Sequence, residues 1–245
     1  MKLIIFSLFI LSISAYSNIK GPCGADNRTM TQDSRIGRAL RLNEDIKGCS
    51  AFLIGKSCMI SAAHCVDKLE TIQFQVPMSN PQGEIQHPAL EDQYSVDKAS
   101  IVNGSLSTGV RNDYAVFRTL KNSKTGKFAG EVQGSFKLNF KNFRKGDDII
   151  IRGYGYNHSR IPEEFNIQKS DTGPIKKIKG IKVYYDAFTS NGNSGSPIIH
   201  KNTDEVIGVH TNGGGCFNGR RGNHGYLLRS NSDFANAVKD CLNHE

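Results

Sequence analysis

Short runs of strand-forming residues, each closed by glycine or polar turn residues, recur along most of the chain, and this spacing limits it to an antiparallel β architecture. The runs are SAFLIGKSCMIS (50–61), TIQFQV (71–76), DYAVFRTL (113–120), SFKLNF (135–140), DDIIIRGYGY (147–156), IKGIKVYYDAF (178–188), SPIIH (196–200), EVIGVH (205–210) and GYLL (225–228). Their even separation predicts a sandwich or barrel. Only SDFANAVKDCL (232–242) reads as a helix, with Ser232 as N-cap and Phe234, Val238, Cys241 and Leu242 on one face. The polar, Lys- and Gly-rich stretch KNSKTGKFAGEVQGS (121–135) is the best candidate for a linker between two halves.

The chain of 245 residues opens on MKLIIFSLFILSISAYS, one lysine and a short apolar run followed by small residues. This is the pattern of a secretory signal peptide over 1–17, too short for a comfortable membrane span. The expectation is an exported protein, extracellular or periplasmic, with no membrane attachment after cleavage. Six cysteines, an even number with no C-x-x-C pair, fit disulfides in an oxidising compartment and leave no metal or cofactor signature. A net charge of +8 would suit anionic partners, but the basic residues are scattered. The densest run, KKIKGIK (176–182), alternates Lys with Ile, as an amphipathic strand with a solvated lysine face does. Nucleic acid is not expected as a partner, and the chain is expected to be a monomer.

The chemistry concentrates in TSNGNSGSPIIH (189–200), which sets Ser194 between Gly192 and Gly195. Such a cluster forms a turn, or else a nucleophile loop whose glycines let backbone N–H groups converge on an oxyanion. A serine hydroxyl needs a base. GCSAFLIGKSCMISAAHCVD (48–67) offers one in His64, which follows small residues and adjoins Cys65; a disulfide to Cys49 would pin its loop. For the carboxylate, Asp113 stands just ahead of the apolar run YAVFRTL, with Asp97 as the alternative.

On Cys49 and His64–Cys65, on NDYAVFRTL with Asp113 and on GNSGSP with Ser194, in the order His, Asp, Ser, the sequence resembles the chymotrypsin-fold serine proteases over roughly 30–242. The resemblance implies an all-β fold of two six-stranded antiparallel barrels and a C-terminal α-helix: an N-terminal segment over 18–30, a first barrel over 31–130 and a second over 131–245. It implies a His64–Asp113–Ser194 triad, an oxyanion hole from the N–H groups of Gly192 and Ser194, and an extended Thr211–Asn212–Gly213 segment that pairs with substrate backbone. It also implies a Cys49–Cys65 disulfide; of the pairings left for the other four cysteines, Cys58–Cys241 with Cys23–Cys216 suits that fold best.

Three departures from the digestive branch narrow the substrate. Asn193 replaces the Asp that would pair with a freed N-terminal amine, Phe188 replaces the Asp that selects Arg and Lys, and Ser190 replaces a pocket cysteine. CGADNR near Cys23, GNSGSP and VIGVHTNGG resemble instead the glutamyl endopeptidase branch, in which Thr189 and His210 would hold a glutamate carboxylate, the histidine protonated beside it. The implied activity is peptide hydrolysis after Glu, and after Asp more weakly. Two alternatives stay open: an inactive relative that binds anionic partners, and a toxin-like protease of narrow specificity.

Overall fold

A computed structural model describes residues 20–21, 24–41, 48–104, 112–141, 143–156, 161–213, 215–219, 221–229 and 231–245. The signal-peptide stretch 1–17 and Cys23 lie outside these residues. A two-stranded ribbon, β1 (Lys20–Gly21) and β2 (Gly24–Ala25), precedes β3 (Thr29–Met30). The first barrel contains β4 (Ile36–Leu40), β5 (Cys49–Leu53), β6 (Cys58–Ser61), β7 (Thr71–Gln73), β8 (Gln93–Asn103) and β9 (Ala115–Thr119), closed in the order β4-β5-β6-β9-β8-β7. After the short helix α1 (Ala129–Gln133) come β10 (Asp148–Tyr154), β11 (Gln168–Lys179), β12 (Lys182–Tyr185), β13 (Pro197–His200), β14 (Glu205–Asn212) and β15 (Asn223–Leu227). These six run β10-β13-β14-β15-β12-β11 and close through β10–β11, with β3 added outside β11. The chain ends in α2 (Ser232–Asn243). Two closed six-stranded antiparallel barrels with one C-terminal helix are the architecture that the resemblance implied.

The apolar runs are continuous because both faces of their strands are buried. In β5, Ala51 and Leu53 fill the first barrel while Phe52 turns to a second core between the barrels and α2; in β9, Ala115 and Phe117 point one way and Val116 the other. Ile149, Ile151, Ile175, Val183, Tyr185, Ile198 and Leu227 fill the second barrel. Strands such as β5 and β9 thus serve two cores, and the shared core packs the two barrels together.

Three expectations change, and a fourth gains detail. SFKLNF is not a strand but a strap between barrels: Phe136 N–H donates to Leu53 O, while Val206 pairs with the backbone of Lys137 and Asn139. The stretch 121–135 runs between β9 and β10, where a connection between the halves was expected, and it is held by the Asn122 side chain, which donates to the carbonyls of Leu90, Glu91 and Gln93, and by α1. Helix α2 is capped by Asn231, whose side chain accepts from Phe234 N–H at 3.2 Å, rather than by Ser232. Its buried face is Phe234, Ala237, Val238 and Cys241, with Leu242 exposed.

Candidate active site

Ser194 sits in the turn between β12 and β13, and its glycine neighbours are required by backbone geometry. Gly192 (φ +94°) and Gly195 (φ +87°) occupy the left-handed region that side chains disfavour. A Cβ at Gly192 would stand 2.3 Å from Tyr154 O, and one at Gly195 would stand 2.0 Å from Ser50 O. The close approach to Ser50 is how the first barrel grips the loop. Ser50 N–H donates to Ser194 O at 2.8 Å, and its hydroxyl donates to Gly192 O at 3.0 Å while accepting from Tyr154 N–H. The next peptides are aimed from outside: Asn191 O accepts from Tyr156 N–H and Asn193 O from Ser196 N–H. In a trans peptide the N–H points opposite its carbonyl. The N–H groups of Gly192 and Ser194 are thereby turned away from those partners, and neither has an acceptor among the described residues.

His64 lies in a 3-10 turn, Ala63–Lys68, directly after β6. Asp113, just ahead of β9, holds it at two points: His64 N–H donates to Oδ1 at 3.0 Å, and the ring Nδ1 meets Oδ2 at 2.8 Å. Since β6 and β9 are paired neighbours, the ladder itself sets this distance. The Asp113 hydrogen bond raises the His64 pKa above its usual value; burial opposes this, and the charges of Asp113 and Asp67 add to it. Asp97, the alternative carboxylate, lies instead on β8 beside Arg118. The next residue, Cys65, places its sulfur 3.9 Å from Ser194 O, so the histidine turn abuts the serine loop. Ser194 Oγ itself donates to Thr211 O at 3.5 Å, and no hydrogen bond joins it to His64 among the described residues.

Beside the loop, Thr189 is 3% exposed and its hydroxyl has no partner among the described residues. The nearest atom to a Cβ built on Gly213 would be this hydroxyl, 3.6 Å away, so glycine there leaves the space over Thr189 open. His210 is buried on β14, its Nδ1 2.5 Å from the Tyr185 hydroxyl. Burial pushes its pKa down to about 3, with the charges of His224 and His64 acting the same way against a smaller Asp113 effect. Burial thus favours the neutral ring while no carboxylate stands beside it. Burial holds the Tyr185 phenol well above its usual value, so it stays protonated. A phenol that donates to Nδ1 leaves the imidazole proton on Nε2, a neutral donor. Thr211 is buried, and Asn212 and Gly213 are exposed at the end of β14.

Phe188 is buried, its N–H donating to Asp171 Oδ2. Asn193 is a turn staple: Oδ1 accepts from Ser190 N–H at 3.0 Å. Cys49–Cys65 and Cys58–Cys241 are disulfides, and Cys216 is also disulfide-bonded; the expected Cys23–Cys216 pair involves a residue outside the described ones. His64 with Cys49 and Cys65 forms the one metal-like cluster among the described residues, but both sulfurs are spent in the disulfide. Sequence reasoning missed Ser50, Tyr185 and Arg28, whose Nη1 donates to Ser190 Oγ at 2.6 Å. No local signal marks Ser50 or Tyr185, and CGADNR, which contains Arg28, does not show that its partner is Ser190, because each acts on a partner far along the chain.

The family model described as Trypsin matches residues 28–233. Among solved structures, one described as a Glu endopeptidase in complex with MPD superposes with a TM-score of 0.69 at 20% identity, covering 91% of this chain and 100% of that one. At that identity the likeness speaks for the fold.

Proposed function

Since the chain belongs to the trypsin family and is a serine endopeptidase, we propose that Ser194, His64 and Asp113 carry out the hydrolysis and that the preferred bond follows a glutamate. The observation that carries the catalytic reading is the two-point grip of Asp113 on His64 beside the Ser194 loop. His64 Nε2 takes the Ser194 Oγ proton as the oxygen attacks the scissile carbonyl, and Asp113 stabilises the imidazolium that forms. The undonated N–H groups of Gly192 and Ser194 meet the oxyanion. His64 then passes its proton to the leaving amine, and water repeats the sequence on the acyl-enzyme. The resting Ser194 bond to Thr211 O is exchanged for the one to His64 as substrate binds, in keeping with the long catalytic hydrogen bonds of free enzymes.

The buried, unpartnered Thr189 hydroxyl supports the glutamate preference. A buried donor with no acceptor costs about 1–3 kcal/mol, which an entering carboxylate would relieve. His210 adds Nε2–H as a neutral donor; Asn212 and Gly213 are exposed for backbone pairing with the peptide. The Phe188 side chain itself carries no counter-charge for a cationic side chain, and the Asp171 carboxylate beside it is engaged by the Phe188 N–H. We further propose that the protein is exported after removal of 1–17 and acts as a monomer on peptides and proteins. Two experiments test the reading. A fluorophosphonate probe should label wild type on Ser194 and leave Ser194→Ala and His64→Ala unlabelled; turnover by Ser194→Ala would sink the triad. Digestion of a mixed peptide library should give cuts after Glu, then Asp, whereas cuts after Arg, Lys or large apolar residues would remove the glutamate assignment alone.

A further inference from the structure

Arg28 lies in the segment ahead of the first barrel, yet its side chain is only 3% exposed. Its Nε and Nη2 form a fork to the Asp26 carboxylate at 2.9 and 2.7 Å, its Nη1 donates to Ser190 Oγ at 2.6 Å, and its guanidinium lies 5.0 Å from the Phe188 ring centre. The strand β3 that follows is fixed to β11 at Thr29–Ser170 and Met30–Lys169. The guanidinium is thus aimed by its own carboxylate, by an aromatic face and by a strand pairing. Its target is one end of the Ser190–Asn193 turn. That turn is closed by Asn193 N–H to Ser190 O and Ser190 N–H to Asn193 Oδ1, both at 3.0 Å, and Gly192 lies inside it. A Cβ at Gly155 would fall 2.1 Å from Ser190 Oγ and 2.6 Å from Arg28 Nη1, so the contact is closely packed.

We propose that Arg28 is a positioning residue that holds the nucleophile loop in its working shape, so that the order of the loop depends on a side-chain guanidinium and not on a chain-terminal amine. The inference rests on the reading of Ser194 as nucleophile and Gly192 N–H as an oxyanion donor. Asn193 has no charge with which to bind an amine, so the turn needs another anchor. The Arg28–Ser190 bond is charge-assisted, the strong kind of hydrogen bond. Because Asp26 neutralises the guanidinium, Arg28 acts through Ser190 rather than on the substrate.

The test uses the full chain. Arg28→Ala should lower kcat at least about tenfold, against about 10²–10³ for outright loss of an oxyanion donor, with a smaller change in KM. Arg28→Lys should fall between wild type and alanine, and guanidinium ion well below denaturing concentration should restore part of the Arg28→Ala turnover. Ser190→Ala, which removes the acceptor and leaves the guanidinium in place, should lose kcat in the same sense, and the double variant should lose no more than the worse single one. A short extension ahead of residue 18, retained after removal of 1–17, should leave kcat unchanged. Unchanged kcat in Arg28→Ala, fully additive losses, or inactivation by the extension would each overturn the proposal while an inactive Ser194→Ala kept the triad standing. An active Ser194→Ala would instead remove the reading on which it rests.

Discussion

At the residue scale, the His64–Asp113 pair makes a prediction about pH. Catalysis needs His64 neutral, and the Asp113 hydrogen bond, against opposing burial, holds its pKa above the usual 6.5. The acid limb of kcat/KM should therefore lie above pH 6.5, and in Asp113→Asn it should move down as activity falls by about three to four orders of magnitude. An unmoved limb would mean that another group titrates. Recognition gives a second prediction. Thr189→Val keeps the shape of the side chain and removes the unpartnered hydroxyl, so kcat/KM for Glu substrates should drop about tenfold, in line with a charged hydrogen bond of about 1.5–3 kcal/mol, while the protein becomes no less stable. Equal cleavage after Glu in Thr189→Val would exclude the hydroxyl from the pocket. Ser194 and His64 were legible in the sequence because their local surroundings are part of their chemistry: glycines at positive φ around one, small residues and a cysteine beside the other. The roles of Ser50 and Arg28 were not, even with Arg28 inside CGADNR, since their partners Gly192 and Ser190 lie 142 and 162 residues away. The downward pull on the His210 pKa was hidden for the same reason, since it comes from a burial that strands distant in sequence create.

At the scale of elements, legibility follows how completely a strand is buried. Strands β5, β6, β9 and β13 are buried at every position or nearly so and stand out as apolar runs, whereas β8 alternates only at its start and then runs half-exposed. Nothing in its eleven residues, QYSVDKASIVN, separates it from a polar loop. SFKLNF failed in the opposite way: Phe136 is apolar because it packs edge-on against Phe52 between barrels, not because it lines a sheet. The start of α2 turns on one residue. Ser232 and Asn231 are both good caps in isolation, and the choice falls to Asn231 because its side chain also donates to Asn112 Oδ1 at 3.2 Å. Asn231→Ala should cost about 1 kcal/mol by urea titration and Ser232→Ala no more than about 0.5 kcal/mol. The reverse order would place the cap at Ser232.

At the scale of the whole molecule, the two described disulfides act at different places. Cys58–Cys241 spans 183 residues and ties β6 to α2 across the core between the barrels, far from the cleft in function. Cys49–Cys65 spans only 16, but it clasps β5, whose Ser50 holds the nucleophile loop, to the turn that carries His64. Chain entropy removed from the unfolded state grows with the logarithm of the loop closed, which favours the long bridge by about 2 kcal/mol. Positional precision favours the short one, because reacting groups misplaced by about 1 Å can cost about 10²-fold in rate. The two losses should therefore separate. Replacing Cys58 and Cys241 together by alanine should lower the urea midpoint more, while kcat/KM measured well below that midpoint stays near wild type. Replacing Cys49 and Cys65 together should lower the midpoint less and kcat/KM more, with slower fluorophosphonate labelling of Ser194. Should the short bridge prove the more stabilising and the activity of its variant stay intact, the clasp between histidine turn and serine loop would have to come from the Ser50 hydrogen bonds alone.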